Sequence, residues 1–406
     1  MDDVVPPSPD EIVAAAQLLE PVIQRTPVQS SASLSRIAGV DVWLKCENLQ
    51  SGGSFKIRGA FVRMSRLSPS ERAAGVLAAS AGNHAQGVAL AAALLGVPST
   101  VYMPEGASLP KIEATAAYGA TIRFFGSTVD EALTAAVADS ERTGAILIHP
   151  FDHPDVIAGQ ATVGSEIAAQ HPEVRTVAVC TGGGGLLAGV TLGLRDAGCD
   201  ARVVGVQAAG AASYPASLRA GHPVALQRMS TMADGIAIAR PGQADFDIIA
   251  AAGVDFVTVD DEQISRAVVT CLERSKQIVE PAGAAAVAAV FSQPQLFEPP
   301  VVVTLSGGNV DPLFLLRIVQ RGLVAAGRYI VLSARIPDTP GALEGLLAQI
   351  AAQRGNVVTV THNRTNPLLA VDECAVVVEV EVRGPEHGAE IMAALRERGI
   401  AVGLEY

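Results

Sequence analysis

A lysine lies among glycine and serine residues in segment 51–60, which reads Ser-Gly-Gly-Ser-Phe-Lys-Ile-Arg-Gly-Ala. Glycines reduce backbone bulk and allow positive φ angles, so another molecule can approach this turn closely. An amine withdrawn from water becomes nucleophilic and can form a Schiff base with a carbonyl group. Lys56 is therefore a candidate nucleophile, although a motif of this kind taken alone is more often a surface lysine on a turn.

Three further segments could bind a ligand, and each follows a predicted strand. Segment 80–84 reads Ser-Ala-Gly-Asn-His and opens a helix, whose N-terminal amides attract anions. Segment 181–186 contains four consecutive glycines, and exposed backbone amides commonly cradle a phosphate. Segment 305–309 reads Leu-Ser-Gly-Gly-Asn. Because ligands of open α/β sheets bind at the carboxyl ends of the strands, we expect these loops and the Lys56 loop to meet.

Each loop also has an ordinary structural interpretation. A glycine-rich turn is often only a tight strand-to-helix connection, and Asn83 or Ser306 could simply cap a helix. An amine, a phosphate cradle and a polar loop together match one cofactor, pyridoxal phosphate, which also needs a partner for its ring nitrogen.

Composition indicates a compact α/β protein. Hydrophobic residues make up 49% of the 406 residues and charged residues 17%, with a net charge of -12. The negative charge disfavours nucleic acids and anionic membranes as partners. The five scattered cysteines and an acidic start at residues 1–3, unlike a secretory signal, predict a cytoplasmic protein.

Apolar strands alternate with helical stretches over most of the chain, which predicts parallel sheets covered on both faces. The pattern changes after residue 320. The order βαββαβ over residues 329–406 predicts a ferredoxin-like domain. We expect a catalytic domain over 1–320, with a smaller lobe at about 51–152 inserted in a larger one, and a linker at 321–328.

The motifs together resemble the fold type II (tryptophan synthase β-like) pyridoxal-phosphate enzymes and, within them, the threonine dehydratases. Segments 54–60, 80–87, 182–185, 232–237, 280–284 and 306–309 fall in the order typical of that family. The resemblance covers about residues 10–320. The segment Pro-Asp-Thr-Pro-Gly-Ala-Leu at 337–343 resembles an ACT domain, a small amino-acid-sensing module.

The resemblance implies a role for each matching residue. Lys56 would hold pyridoxal phosphate as a Schiff base and remove the substrate Cα proton, and Ser80 is the second catalytic candidate. The other expected cofactor contacts are Phe55, Asn83, Gly182, Gly183, Gly184, Gly185, Gly235, Glu280 and Ser306. The expected substrate carboxylate site is Ser80, Gly82, Asn83 and His84, with Glu280 also close to the substrate side chain.

Two departures from related patterns refine the expectation. Serine racemases carry a second serine at the position of Ala81, which cannot perform acid–base chemistry, so racemisation is disfavoured. Relatives often hold a divalent cation through acidic residues where this chain has Gln207 and Ser213. Hard cations prefer carboxylate oxygens, so we expect no tight divalent metal site, while a weak monovalent site stays open.

The leading hypothesis is elimination of water from L-threonine to give a 2-oxo acid and ammonia, with L-serine expected as a second substrate. Alternatives are a serine or 3-hydroxyaspartate dehydratase, or a non-catalytic sensor that retains a relic of the enzyme. The C-terminal domain would bind an amino-acid effector, isoleucine or valine, through Asp338, Gly341 and Asn356, or would serve only oligomerisation. A homodimer or homotetramer is expected. The direction of regulation and a biosynthetic or catabolic role stay open.

Overall fold

The computed structural model describes residues 5–364 and 369–405, so the acidic start at residues 1–3 lies outside the described residues. The strands are β1 (Val28–Ser30), β2 (Val42–Lys45), β3 (Val76–Ala79), β4 (Ser99–Met103), β5 (Thr121–Phe124), β6 (Ile146–Leu147), β7 (Thr176–Cys180), β8 (Arg202–Ala208), β9 (Asp255–Val259), β10 (Val301–Thr304), β11 (Tyr329–Pro337), β12 (Asn356–Asn363), β13 (Glu373–Glu381) and β14 (Ala401–Leu404).

The α-helices are α1 (Pro9–Leu19), α2 (Ala32–Ala38), α3 (Lys56–Ser65), α4 (Pro69–Ala74), α5 (Asn83–Leu95), α6 (Leu109–Ala117), α7 (Val129–Thr143), α8 (Pro154–Gln170), α9 (Gly185–Asp196), α10 (Ser213–Ala220), α11 (Gln243–Ala251), α12 (Asp261–Thr270), α13 (Pro281–Ser292), α14 (Pro312–Ala325), α15 (Ala342–Ala352) and α16 (Pro385–Glu397). Within the described ranges, none of these helices has the length and apolar character needed to cross a membrane.

The larger lobe is built on a six-stranded sheet in the order β1-β2-β10-β7-β8-β9. All neighbours in it are parallel except β1 and β2. Every residue of β7 and β10 is buried. These strands are uninterrupted runs of valine, alanine, threonine and cysteine because helices cover both faces of the sheet.

The smaller lobe contains a four-stranded parallel sheet in the order β5-β4-β3-β6. Its central strand β3 is fully buried, whereas most of β5 is exposed, as an edge strand allows. The sheet spans residues 76–147, inside the lobe expected at about 51–152. The α/β class with parallel and mixed sheets is therefore confirmed.

Helices α8 and α9 pack so closely that one helix meets the backbone of the other. A Cβ built on Gly193 of α9 would lie 1.9 Å from the carbonyl oxygen of Ala161 in α8. Only glycine permits this approach at Gly193, and the fully buried Ala161 is itself small. Because α9 starts at the four-glycine loop, this contact fixes the loop against the segment that precedes α8.

The C-terminal strands form a separate antiparallel sheet in the order β12-β13-β11-β14. With α15 and α16 in sequence between them, this is the ferredoxin-like βαββαβ arrangement. Compact units divide in sequence between Leu315 and Leu316. Helix α14 continues to Ala325, so the first part of segment 321–328 is helical; the domain limits 1–320 and 329–406 stay a prediction.

Candidate active site

Lys56 is the first residue of α3, and its ammonium donates to the carbonyl oxygen of Pro150 at 2.8 Å. The same nitrogen lies 5.1 Å from the centre of the Phe55 ring. Burial lowers the pKa of Lys56 to about 8, although the acidic groups Asp245 and Glu280 oppose the shift. At a pKa of about 8, roughly a tenth of the Lys56 side chains carry a neutral amine at pH 7, and the neutral amine can act as a base or nucleophile.

The Lys56 loop is joined directly to the loop that follows β10. Ser54 forms a β-bridge with Gly307, and the Phe55 amide donates to the Ser306 carbonyl oxygen at 3.2 Å. Ser306 is buried, and its hydroxyl group lies close enough to Cys180 to affect the pKa of that thiol. The two loops predicted to meet are therefore brought together.

Asn83, Glu280 and Asn309 form a hydrogen-bonded group beside these loops. The Asn83 amide donates to the Glu280 carboxylate at 2.5 Å, and Asn309 donates to Asn83 Oδ1 at 2.9 Å. Burial, reinforced by the charge of Asp234, raises the pKa of Glu280 to about 7. Glu280 is thus able to exchange a proton near neutral pH.

The loop after β3 turns sharply into α5. The Gly82 amide donates to Ser80 Oγ at 3.1 Å, and Gly82 is the N-cap residue of the helix. His84 is buried with Nε2 2.8 Å from the Ile148 carbonyl oxygen. Burial lowers the pKa of His84 to about 3, so its ring is neutral at physiological pH. This loop offers uncharged hydrogen-bond donors to an anion.

The four-glycine loop after β7 has no space for side chains. A Cβ on Gly183 would lie 2.5 Å from the Phe151 ring, and one on Gly184 would lie 2.0 Å from Tyr214 Oη. Gly184 also has a φ of 120°, which favours glycine. Because glycine has no side chain, a ligand can approach the backbone amides at the start of α9 closely, as a phosphate group requires. The loop fits the phosphate of pyridoxal phosphate.

Segment 149–152 connects the glycine loop to Lys56, which the sequence did not reveal. His149 Nδ1 accepts hydrogen bonds from the amides of Phe151 and Asp152, at 3.3 and 2.8 Å. This turn presents the Pro150 carbonyl to Lys56 and the Phe151 ring to the glycines. Burial lowers the pKa of His149 to about 4, so it acts as an acceptor here.

Asp245 is a buried carboxyl group behind the glycine loop. It is fully buried, and neither of its oxygens has a hydrogen-bond partner among the described residues. Burial, together with the charge of Asp152, raises the pKa of Asp245 well above its ordinary value, which Lys56 only partly offsets. Its surroundings therefore favour the neutral form of the Asp245 carboxyl group over the charged form.

Arg58 belongs to the same motif as Lys56 but points away from the cleft. Its guanidinium is completely buried and bonds to Glu47, Glu166 and Thr162 at 2.7–3.0 Å. Lys45 also reaches Glu166 at 2.5 Å. This network attaches α3 to β2 and α8, and so positions the helix that begins with Lys56.

The remaining positions are Gly235, expected at the cofactor, and the pair Gln207 and Ser213, which occupy the positions of a divalent cation site in related enzymes. A Cβ on Gly235 would lie 2.9 Å from Ala282 and 3.8 Å from Glu280, so this glycine is at the edge of the same group. The Gln207 amide donates to Ser213 Oγ at 3.4 Å and accepts from the Tyr214 amide at 3.0 Å. Neutral groups satisfy one another there.

The expected effector residues do not form one site within a single chain. Asp338 follows β11 and pairs with Arg364 at 2.9 Å, and Gly341 is the N-cap residue of α15. Asn356 instead pairs with Glu381 at the opposite end of β13, roughly 26 Å away at about 3.3 Å per residue. Asp338 lies instead beside His362 and Cys374. One potential metal-ligand atom of each of these three residues lies within 4.8 Å of the other two.

Comparison with known proteins gives consistent matches. The family model described as pyridoxal-phosphate dependent enzyme matches residues 19–307. The L-threonine ammonia-lyase of Thermotoga maritima is 41% identical over 393 residues, covering 97% of this chain and 98% of that protein. The processed form of threonine deaminase isoform 2 from Solanum lycopersicum aligns with a TM-score of 0.73 at 35% identity, covering 79% of this chain and 91% of that one. Maize serine racemase aligns with a TM-score of 0.73 at 33% identity, covering 79% and 99%.

Proposed function

The chain belongs to the family of pyridoxal-phosphate dependent enzymes, and from that premise we infer that it is a threonine ammonia-lyase. The overall reaction converts L-threonine to 2-oxobutanoate and ammonia, with one water lost and one regained. The observation that carries this function is the similarity to threonine ammonia-lyases over almost the whole chain, joined to a cleft with a low-pKa lysine beside a bare glycine loop. When bound, pyridoxal phosphate supplies an electron sink for negative charge at the substrate Cα.

We propose that Lys56 holds the cofactor's aldehyde covalently and removes the substrate Cα proton. Its lowered pKa supports this role because a general base works best when its pKa is near the working pH. The Pro150 carbonyl fixes the direction of the amine, and the network around Arg58 fixes the start of α3. Phe55 packs beside the ring.

The other cofactor contacts follow from the loops that converge on Lys56. Amides of residues 182–185 would bind the phosphate, Asn83 the ring oxygen and Ser306 the ring nitrogen. A neutral hydroxyl does not favour protonation of the ring nitrogen as a carboxylate partner would, so the ring would withdraw fewer electrons from the substrate Cα. That arrangement favours prompt loss of the β-hydroxyl over a long-lived carbanion, as a dehydratase requires.

We propose that the substrate carboxylate lies on the loop of Ser80, Gly82, Asn83 and His84. Neutral donors at a helix N-terminus are suited to a carboxylate. A methyl group is worth about 1–3 kcal/mol of discrimination in an apolar pocket, so L-serine should also react, about 10- to 200-fold less efficiently. Ala81 lacks a proton to deliver, which argues against racemisation.

We propose that the C-terminal ferredoxin-like unit is an ACT-type regulatory domain and that the chain forms a homo-oligomer. Leu343, Leu347, Ala348 and Ala351 form an apolar strip on α15, and Val358 and Val360 are exposed on the edge strand β12. Exposed apolar patches of this kind often mark association surfaces. An effector site completed by a second copy would also reconcile the separation of Asn356 from Asp338.

The function is tested by measuring 2-oxo acid release from L-threonine and L-serine by the full chain loaded with pyridoxal phosphate. We expect 2-oxobutanoate from threonine and slower pyruvate formation from serine, and far slower formation of both by Lys56→Ala. Absence of 2-oxobutanoate from a protein with bound cofactor would contradict the proposal. Isoleucine and valine titrations of the same reaction test the regulatory domain.

A further inference from the structure

The proposed carboxylate loop carries no charge of its own. Ser80 and Asn83 are neutral, and His84 is held neutral because burial lowers its pKa to about 3. Lys56 is committed to the cofactor in the proposed function. An amino-acid substrate brings a full negative charge into this partly enclosed cleft, where hydrogen bonds to ionised groups are the strong ones. A cation near this loop would therefore contribute strongly to binding.

Lys111 of α6 is such a cation. Its ammonium lies 4.0 Å from the position that a Cβ on Gly82 would occupy, directly beside the loop. The Lys111 side chain is only 16% exposed, so it is held against the protein instead of extending into solvent. Helix α6 packs on α5 and β5 of the smaller lobe.

In this structure the Lys111 ammonium pairs with Asp234 at 2.6 Å. Asp234 belongs to the short 3-10 turn Asp234–Ile236, next to Gly235, and its side chain is 59% exposed. The ion pair thus joins the smaller lobe to the opposite side of the cleft. Both charges also act on the active site, since Asp234 raises the pKa of Glu280 and Lys111 lowers it.

We propose that Lys111 is a substrate-binding residue, whose ammonium exchanges the Asp234 carboxylate for the carboxylate of the substrate on the Gly82 loop. The exchange keeps the Lys111 ammonium paired with a carboxylate and leaves the 59% exposed Asp234 side chain to water, where ion pairs contribute little. The proposal rests on the proposed function, since it requires an amino-acid substrate at this loop. Lys111 of α6 would thus select substrates that carry a negatively charged carboxylate.

The alternative is a structural role, in which the ion pair between Lys111 and Asp234 holds the two sides of the cleft together. The two roles predict different effects of Asp234→Asn. If Lys111 has only the structural role, either substitution breaks the same ion pair. Asp234→Asn would then weaken ligand binding as Lys111→Met does. If Lys111 binds the substrate, Asp234→Asn removes a carboxylate that competes for the Lys111 ammonium. Substrate binding would then be unchanged or tighter.

The test uses two unreactive ligands, L-2-aminobutanoate and its amide, which carry a charged carboxylate and a neutral carboxamide at the same position. Their dissociation constants are measured from the change in cofactor absorbance of the full, loaded chain, so the measurement needs no turnover. We expect wild-type protein to prefer the acid over the amide, and Lys111→Met to lose about 10- to 100-fold of that preference. Lys111→Arg should retain most of it. For L-threonine, Lys111→Met should raise KM more than it lowers kcat.

Arg123→Gln is the matched control, because Arg123 forms a comparable ion pair with Asp139 at 3.1 Å within the smaller lobe. It should leave the acid-to-amide preference unchanged. The proposal is overturned if Lys111→Met keeps the wild-type preference, or if Asp234→Asn reduces it as Lys111→Met does. Failure of threonine turnover alone would instead contradict the proposed function, because ligand binding is measured separately.

Discussion

Replacing Arg58 with methionine tests whether the network behind Lys56 holds the active site in place. Glu47 is completely buried and accepts two hydrogen bonds from Arg58, at 2.8 and 2.9 Å. Although burial alone would raise the pKa of Glu47, Arg58 holds it below its usual value. Glu166 is less dependent on Arg58, because it is 15% exposed and keeps Lys45 as a partner. Arg58→Met therefore leaves the buried Glu47 carboxylate without its ion-pair partner, supported only by the Thr26 hydroxyl and the charge of Lys45. Loss of one partner of a buried ion pair costs about 3–5 kcal/mol.

The assay is urea unfolding of the cofactor-free chain, followed by the fluorescence of Trp43. This is the single tryptophan, and it lies in β2, so the signal reports on the unit that contains the network. Adding Glu47→Gln to Arg58→Met removes the unpaired charge and should restore roughly 1–3 kcal/mol. A loss below about 1 kcal/mol for Arg58→Met, or no recovery in the double variant, would refute the reasoning.

Three further changes act on the site itself. Lys56→Ala should lower threonine turnover at least about 10²- to 10⁴-fold and abolish the absorbance of covalently bound cofactor, and unchanged absorbance would contradict its assignment. Gly184→Ala should prevent cofactor binding in equilibrium dialysis, because its Cβ would lie 2.0 Å from Tyr214 Oη; wild-type affinity would show that the loop adapts. The raised pKa of Asp245 means that its contribution to stability is present below pH 3.8 and is lost as the pH rises through the folded pKa. Asp245→Asn should therefore gain thermal stability over wild type as the pH increases, whereas the exposed control Asp247→Asn should not.

The four loops and both sheet types could be predicted because each is encoded locally. Buried strands such as β7 and β10 are continuous apolar runs, and the glycine and serine segments follow such strands directly. The ends of helices were less predictable. Helix α1 ends at Leu19, although apolar residues continue at Val22 and Ile23.

Residues that act through distant partners could not be found from their local pattern. Arg58 and Glu47 are 11 positions apart, and Lys111 and Asp234 are 123 positions apart. Asp245 looks like an ordinary acidic residue in the first turn of a helix, and only the packing of α11 shows that it is buried. Asn356 was expected to share a site with Asp338 but lies at the other end of β13. Strand register decides which end of β13 Asn356 faces, and the local sequence does not reveal that register.

The most direct test of the account is a complete product balance for L-threonine with the full chain and pyridoxal phosphate. We predict that each threonine consumed gives one 2-oxobutanoate and one ammonia, and that the remaining threonine keeps its configuration at Cα. Threonine that is recovered with inverted Cα, or consumed without 2-oxobutanoate, would contradict the assignment of this chain as a threonine ammonia-lyase.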